Sequence, residues 1–212
     1  MRENNSSCPV LIIASSNVGK IEEFRELLSP FPLRVLGQPK GIFVEETAQS
    51  FLSNARIKAF AVANATGEMS LADDSGLSVD ALNGAPGVYT ARYAGEGCSY
   101  YDNVKKILDD MQTIPIPNRT AKFKTVIAYV DKKSEITAEG IAEGLISRSS
   151  IGDFGFGYDP VFFVPEANKT FAQMKIDEKE IYSHRGKAIR AIMDTLIPHL
   201  KKNNNTTKKE IA

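Results

Sequence analysis

Neither sign of charge is in excess in this sequence, which has 26 Lys and Arg residues and 26 Asp and Glu residues. A broad nucleic-acid surface normally shows as a basic excess, so the sequence predicts that nucleic acid is not a partner. Any anionic ligand would have to be held by a local cluster of cations.

Cysteine and long apolar runs are also scarce. The chain has two cysteines, Cys8 and Cys98, without metal-ligand spacing or neighbouring histidines, so we expect free thiols in a reducing compartment. The apolar run from Val10 to Ala14 is far too short to span a bilayer, and no cationic lead or cleavage site of a signal peptide accompanies it. The sequence therefore predicts a cytoplasmic protein that does not enter a membrane.

The pattern along the chain is that of one α/β domain, because strands alternate with helices and neither an internal repeat nor a linker divides the 212 residues. The apolar patterns predict strands from Val10 to Ala14, Leu33 to Leu36, Ala121 to Tyr129, Ile136 to Ile146 and Val161 to Val164. They predict helices after Lys20, from Ser50 to Ala65, from Tyr101 to Met111 and from Ser183 onwards. We expect Pro198 to end or kink the last helix, the domain to cover residues 1–201, and residues 202–212 to form a disordered polar tail.

The first segment with chemical potential is SSNVGK, from Ser15 to Lys20, which joins the first predicted strand to the first predicted helix. Its small polar residues and Gly19 let the backbone approach an anion, the helix start offers N–H groups, and Lys20 adds positive charge. The Walker pattern GxxxxGK[ST] is missing, and an ordinary strand-to-helix turn is the alternative interpretation.

Two adjacent aspartates, Asp73 and Asp74, follow an apolar position and precede Ser75 and Gly76. In an extended segment, neighbouring side chains point to opposite faces. One aspartate would then face a cleft, and the other would be held by the backbone or by solvent. Magnesium prefers hard oxygen ligands and usually takes one or two carboxylates together with substrate phosphates. By itself, the pattern is equally well interpreted as a turn rich in Asp, Ser and Gly.

Two further segments place charge at helix starts. Residues Glu45 to Thr47 precede the second predicted helix, where the dipole favours carboxylates, and Lys58 lies further along that helix. Both are also interpretable as ordinary surface features. Ser183 is a good N-cap for the last helix, which puts His184 and Arg185 in a first turn where the dipole disfavours cations. A local rule broken in this way indicates a site, and the alternative interpretation is that both side chains are exposed and screened at small cost.

Aromatic residues alternate with glycine in GFGYDP, from Gly155 to Pro160. Phe156 and Tyr158 would form a platform that suits stacking on a flat nucleobase. An aromatic-anchored turn that leads into the following strand is the competing interpretation.

Together these segments resemble the inosine triphosphate pyrophosphatase family, whose members are also called XTP/dITP diphosphatases. The resemblance runs from about Leu11 to Ile197 and is strongest in SNVGK, EET followed by NARIKA, ADDSGLSVDALNGAPGVYTARYAG, GFGYDPVF and EKEIYSHRGKA. These segments in the family's order and approximate spacing are far more specific than any one of them. The resemblance implies an elongated mixed β-sheet flanked by helices, an active site in a central cleft between two lobes, and a homodimer.

The resemblance also implies roles for individual residues. The triphosphate is expected to bind Ser15, Ser16, Asn17, Val18, Gly19 and Lys20, with further substrate contacts at Lys58, Ser75 and Lys179. The base is expected to bind Phe156, Gly157, Tyr158, Asp159, His184 and Arg185. A Mg²⁺ site is expected at Glu46 and Asp74, with Asp74 as the catalytic acceptor of a proton from water.

The function that the resemblance implies is hydrolysis of ITP, dITP and XTP to the nucleoside monophosphate and pyrophosphate. An O6 carbonyl would accept a hydrogen bond from His184 or Arg185, whereas the amino group of adenine would leave those donors unpaired. The alternatives are a nucleotide pyrophosphatase of different base preference and a sensor that binds a triphosphate without hydrolysing it. The sequence departs from the family at Ala48, Ser53 and Gln173, and a carboxylate lost at Ser53 would weaken metal binding.

Overall fold

The structure, a computed structural model, describes the backbone of residues 8–210 and the side chains of residues 8–201. In this part of the chain one sheet contains the strands β1 (Val10–Ile13), β2 (Arg34–Gly37), β3 (Met69–Val79), β4 (Thr120–Val130), β5 (Glu135–Ile146), β6 (Phe162–Val164) and β7 (Lys169–Thr170). The α-helices are α1 (Val18–Leu28), α2 (Phe51–Thr66), α3 (Tyr100–Asp110), α4 (Ile176–Tyr182) and α5 (His184–Glu210). Short 3₁₀ helices lie at Asp80–Leu82, Gly87–Arg92, Ile116–Asn118, Pro165–Ala167 and Phe171–Gln173. None of the helices within the described residues combines the length and the apolar character needed to cross a membrane.

The sheet is mixed and has the strand order β2-β1-β3-β4-β5-β6-β7. β1 is parallel to β2 and to β3, whereas each later pair of neighbouring strands is antiparallel. β1 pairs with Met69, Ser70 and Leu71 at the start of β3, and β3 continues to Val79. The carboxyl ends of β1 and β2 therefore lie beside the middle of β3 and open a space next to it.

β1 is buried on both faces, as its apolar run predicts. Leu11 and Ile13 belong to a core that includes residues of α1 and α5. Ile12 and Ala14 belong to a second core with residues of α2. Because successive side chains of a strand alternate between faces, the sheet separates α1 and α5 from α2.

A third core lies toward the far ends of β3 and β4. It contains Leu77 of β3, Phe123 of β4, Ile107 of α3 and Phe162 of β6. The polar residues 73–75 of β3 separate this core from the other two along the strand. β3 and β4 thus connect two lobes, and the predicted α/β fold with a mixed sheet flanked by helices is confirmed.

The start of α5 packs closely against β5. Gly140 permits this approach, because a Cβ there would come 2.0 Å from the His184 carbonyl oxygen and 2.6 Å from the Ala188 nitrogen. Ser183 caps the helix as predicted, since its Oγ accepts from the Gly186 N–H at 3.0 Å. These contacts fix the position of the first turn of α5.

The end of the chain differs from the sequence prediction. Pro198 lies inside α5, and helical backbone continues through residues 202–210, where we expected a disordered tail. Proline removes one N–H donor, but a helix that already exists extends without a new nucleation cost and gains a hydrogen bond per added residue. The rest of the predicted tail, residues 211–212, lies outside the described residues.

Candidate active site

A cavity of about 770 Å³ opens where β1 and β2 end beside the middle of β3. Its walls come from the β1–α1 loop, residues 38–46, α2, β3, the loop before β6, α4 and the start of α5. Every predicted site residue lines this cavity except Val18, which is 66% exposed, and Gly19. Segments that are far apart in the sequence therefore meet in one cleft between the two lobes.

The β1–α1 loop is shaped by its own side chains. Asn17 is the N-cap of α1, because its Oδ1 accepts from the Lys20 N–H at 3.2 Å. Its own N–H donates to Ser15 Oγ at 3.1 Å. Gly19 packs against Phe156, since a Cβ at Gly19 would come 2.5 Å from Phe156 Cδ1. The loop thus joins the predicted phosphate end of the cleft to its aromatic end.

The adjacent aspartates point to opposite faces of the sheet, as the extended backbone predicts. Asp73 is 1% exposed and forms ion pairs with Lys20 at 3.0 Å and with Arg185 at 3.1 Å. The expectation that backbone or solvent would hold one aspartate is therefore wrong, since the half-buried Lys20 and the buried Arg185 hold Asp73. Burial opposes its charged form, but Lys20 and Arg185 outweigh burial and keep the pKa of Asp73 far below its usual range.

Asp74 faces α2 and the cleft. Its Oδ2 accepts from Asn54 Nδ2 at 3.0 Å, and its Oδ1 lies 3.7 Å from Lys58 Nζ. Burial raises the pKa of the Asp74 carboxyl, Lys58 opposes this shift, and the charge of Glu46 reinforces it. A carboxyl whose pKa is raised toward neutrality is a better proton acceptor than an ordinary aspartate. Asp74 is therefore suited to general-base chemistry in this cleft.

Glu46 and Asp74 both lie close to the same cation, Lys58. Lys58 Nζ lies 2.8 Å from Glu46 Oε1 and 3.7 Å from Asp74 Oδ1. Two carboxylates are the number that Mg²⁺ usually takes from a protein when substrate phosphates complete its shell. Among residues 8–201, whose side chains are described, no group of three or more His, Cys, Asp or Glu is placed to hold a metal ion. The donor set therefore fits a magnesium ion that binds together with phosphate.

Six other charged side chains of the site form a chain of alternating sign, called the ionic chain below, which consists of Lys20, Asp73, Arg185, Glu23, Lys179 and Asp159. Arg185 Nη1 donates to one oxygen of Glu23, and Lys179 Nζ donates to the other at 2.6 Å. Lys179 also donates to Asp159 Oδ2 at 2.5 Å. Burial opposes the charge on Lys179, but Asp159 and Glu23 outweigh burial and raise its pKa. Lys179 and Arg185 therefore line the cleft with their charges already matched inside the protein.

Glu23 and Asn54 are site residues that the sequence analysis missed. Glu23 is 7% exposed and lies beside Phe24 and four positions before Leu27, on the buried face of α1. A carboxylate on an apolar helix face is rarely buried without a cationic partner, so the position of Glu23 could have indicated a buried ion pair. Asn54 lies among the residues NARIKA, where nothing distinguishes it from a surface amide until Asp74 is placed beside it.

His184 is uncharged at neutral pH in this environment. Its ring is 3% exposed and stacks on Phe123, with ring centroids 4.6 Å apart and an angle of 9° between the planes. Nδ1 has no hydrogen-bond partner among the described residues. Burial lowers the pKa of His184 well below its ordinary value, and the charges of Arg185 and Lys179 lower it further. A neutral imidazole removes half of the conflict with the helix dipole that the sequence indicated.

We expect His184 to make folding stability depend on pH just below neutrality. Its folded pKa lies below the unfolded value of about 6.5, so the unfolded chain binds a proton that the folded chain does not. The stabilising contribution is fully present above about pH 6.5 and is lost as the pH falls. Urea unfolding of wild type and His184→Gln between about pH 8 and pH 5 measures this effect. The wild type should lose more stability than the variant, and equal slopes would contradict the assignment.

The aromatic end of the cleft rests on Phe156. Its half-buried ring lies 5.2 Å from Lys179 Nζ and 5.7 Å from Arg185 Cζ. Tyr158 is 3% exposed, packs with Phe123 and donates its hydroxyl to the Thr90 carbonyl at 3.0 Å. The expected platform of these two aromatic rings is therefore wrong, because Tyr158 belongs to the core of its lobe and, of the two, Phe156 remains available for stacking.

Comparison with known proteins gives one consistent result. The sequence model of the Ham1 family matches residues 11–195. A dITP/XTP pyrophosphatase of Prochlorococcus marinus (strain MIT 9313) is 47% identical over 202 residues, which cover 94% of this chain and 97% of that protein. A dITP/XTP pyrophosphatase of Desulforamulus reducens is 48% identical over 190 residues, which cover 88% of this chain and 94% of that protein.

Solved structures agree with the sequence relatives. The Ham1 protein of Staphylococcus aureus superimposes with a TM-score of 0.77 at 38% identity, over 90% of this chain and 99% of that one. A HAM1 protein from Coxiella burnetii superimposes with a TM-score of 0.79 at 37% identity, over the same shares of 90% and 99%. Both similarities cover the two lobes and the cleft.

Proposed function

This chain belongs to the Ham1 family, and we propose that it hydrolyses the deaminated purine nucleoside triphosphates ITP, dITP and XTP to the monophosphate and pyrophosphate. The reaction breaks the anhydride bond between the α- and β-phosphates and removes altered nucleotides from the pool. The protein is thus a nucleoside triphosphate pyrophosphatase, which is the activity in the names of its relatives.

The observation that carries this proposal is the division of two neighbouring aspartates between two faces of β3. Asp73 is neutralised by Lys20 and Arg185, while Asp74 faces the cleft between Asn54 and Lys58 with a raised pKa. A nucleotide sensor would use the cations of this cleft but would not need a carboxylate suited to accept a proton. The arrangement therefore favours hydrolysis over binding alone.

Asp74 accepts the proton of the attacking water as the water adds to the α-phosphorus and pyrophosphate leaves. The Asn54 amide holds the carboxylate by a single hydrogen bond at Oδ2, which fixes its orientation. Lys20 and Lys58 line the same cleft and offset the charge of the polyphosphate, more strongly than they would in open water. Lys20 is suited to this role because burial lowers its pKa, so an added phosphate charge relieves an unfavourable environment.

Mg²⁺ is the cofactor that we propose, with Glu46 and Asp74 as its protein ligands. When bound, it neutralises phosphate charge and polarises the phosphate oxygens. Ser53 stands where the family often has a carboxylate, and its hydroxyl bonds to Ser50 in the cap of α2 at 2.9 Å. Glu46 and Asp74 therefore act here without help from position 53.

Selection of the base follows from the donors at the start of α5. Within the described residues, four of the five N–H donors of Arg185 form hydrogen bonds to Asp73, Glu23 and Ser75. The remaining donor and a ring N–H of His184, which also lines the cleft, suit the O6 carbonyl of hypoxanthine or xanthine. The amino group of adenine would leave such donors unpaired in a buried site, which rejects the wrong base strongly.

Two coarser properties complete the proposal. Cys8 and Cys98 are both free thiols, which supports a reducing compartment and a cytoplasmic protein. A homodimer is proposed from the family resemblance given above. Light scattering of the purified protein would measure a mass of twice 23.2 kDa if the second proposal holds.

The reaction type is tested by identifying the products formed from ITP in water enriched in a heavy oxygen isotope. We expect IMP and pyrophosphate, with the heavy oxygen in IMP, and no release when magnesium is removed. Inosine diphosphate and labelled phosphate would place the attack at the γ-phosphorus and contradict the proposal. Tight binding of ITP without product would instead identify a sensor.

A further inference from the structure

Tyr100 is the first residue of α3, and its place at the edge of the cleft is fixed by a helix cap. Ser99 Oγ accepts from the Asp102 N–H at 3.2 Å, and Asp102 Oδ2 accepts from the Ser99 N–H at 2.9 Å. The ring of Tyr100 is 48% exposed, so packing in the core does not explain it. A rigid helix start therefore presents this tyrosine at the cleft.

Tyr100 contacts both ends of the cleft across the gap between the lobes. Asn17 Nδ2, in the β1–α1 loop, donates to Tyr100 Oη at 2.8 Å. The Tyr100 ring lies with its centroid 6.1 Å from that of Phe156, at an angle of 40°. Tyr100 also lines the main cavity. It therefore lies where the phosphate end of the cleft meets the aromatic end.

The Tyr100 hydroxyl has bonding capacity left over. Its oxygen accepts from Asn17, but its own O–H proton finds no acceptor in the part of the chain that the structure describes. A phenol hydroxyl is both donor and acceptor, so one half of this group is unused by the protein. Because Tyr100 lines the cavity, this unused donor is available to a molecule bound there.

The part of a nucleotide that joins the triphosphate to the base is the sugar. With the triphosphate at the β1–α1 loop and the base at Phe156, a residue that contacts both ends faces the sugar. We propose that Tyr100 binds substrate by donating its hydroxyl proton to a hydroxyl of the sugar. This inference rests on the proposed function and adds a sugar contact, and with it a source of preference between sugars.

The next residue, Tyr101, provides a matched control. It lies on the same helix turn, is 74% exposed, and does not line the main cavity. Replacing either tyrosine by phenylalanine removes one hydroxyl and leaves the ring and the helix cap. A difference between the two variants therefore reports the position of the hydroxyl and not the loss of a phenol from α3.

The test compares Tyr100→Phe with wild type on ITP, 2′-deoxy-ITP and 2′,3′-dideoxy-ITP. We expect kcat/KM for ITP to fall on the order of five-fold, which corresponds to one lost hydrogen bond. The ratio of variant to wild-type kcat/KM should return toward one on the substrate that lacks the contacted hydroxyl. Recovery with 2′-deoxy-ITP identifies the 2′-hydroxyl, and recovery only with the dideoxy form identifies the 3′-hydroxyl. Tyr101→Phe should match wild type on all three substrates.

Other outcomes would overturn the sugar contact. An equal ratio on all three substrates, whether lowered or unchanged, would show that Tyr100 does not bind a sugar hydroxyl. A ratio above one on every substrate would mean that the bond between Tyr100 and Asn17 hinders entry to the cleft. If wild type releases no pyrophosphate from ITP, the proposed function fails, which is a different result from an unchanged ratio in an active enzyme.

Discussion

Asp74→Asn should lower kcat for pyrophosphate release from ITP by about 10²–10⁴-fold, which is the usual contribution of a general base. The amide cannot accept the proton of the attacking water, and it also removes one of the two proposed magnesium ligands. The fold should survive, because an amide oxygen can still accept from Asn54 Nδ2. The raised pKa of Asp74 means that its carboxylate charge is less favourable in the folded protein than in the unfolded chain. The free energy of unfolding should therefore stay within about 1 kcal/mol of wild type.

The control for this variant is Asp80→Asn. Asp80 follows β3 directly and accepts from Thr120 Oγ1 at 2.6 Å, on an exposed surface outside the cleft. The Asp80→Asn substitution makes the same chemical change close to the end of the same strand and should leave kcat unchanged. Steady-state kinetics and urea unfolding on both variants separate the two effects. A folded Asp74→Asn protein with wild-type turnover would contradict the role assigned to Asp74.

Asp73→Asn, one residue away, should cost stability instead. Asp73 neutralises Lys20 and Arg185, and its removal leaves Glu23 as the remaining ion-pair partner of Arg185 and removes the ion pair of Lys20. Breaking a buried ion pair from one side typically costs about 3–5 kcal/mol. That is a large share of the roughly 5–15 kcal/mol by which a domain is stable. Urea unfolding at neutral pH measures the loss.

The pH dependence of this loss has a defined sign. The folded pKa of Asp73 lies below its unfolded value, so its contribution is fully present above about pH 4 and is lost as the pH falls further. Wild type and Asp73→Asn should therefore converge in stability under acid conditions.

Glu143→Gln is the matched control, because Glu143 pairs with Lys122 at 3.0 Å on an exposed surface. The free energy of unfolding of Glu143→Gln should lie less than about 1 kcal/mol below that of wild type. Equal stability of Asp73→Asn and wild type at neutral pH would contradict the ionic chain.

The sequence was sufficient to predict how the two neighbouring aspartates are oriented, and for a physical reason. The two-residue period of an extended strand predicts that Asp73 and Asp74 point to opposite faces, and the structure agrees. Capping of the last helix by Ser183 was equally local and is confirmed. The mixed α/β sheet flanked by helices followed from the alternation of elements and from the family resemblance.

What the sequence could not provide were the partners of the buried charges. Lys179 and Glu23 are 156 positions apart, and no local pattern predicts that they form an ion pair. For the same reason Asp73 was not matched to Arg185, which is 112 positions away. Pairing of this kind depends on how α1, α4 and α5 pack on one face of the sheet. Only the folded chain shows that most cations of the cleft are neutralised by carboxylates of the protein itself.

The aromatic segment GFGYDP shows a second limit. Alternation with glycine suggests that Phe156 and Tyr158 share a face, but the loop has positive φ at Gly155 (74°) and Gly157 (61°) and turns the two rings apart. Tyr158 enters the core of its lobe, and Phe156 stays at the cleft. A two-residue side-chain period applies to extended backbone, and it fails where glycine adopts a positive φ.

The central claim is tested most directly by measuring pyrophosphate release from ITP, XTP and ATP with and without magnesium. We expect rapid, magnesium-dependent release from ITP and XTP and little from ATP, because adenine lacks the O6 carbonyl. Equal release from all three triphosphates would contradict the role of His184 and Arg185 in selecting the base, and no release from any of them would contradict the proposed activity itself.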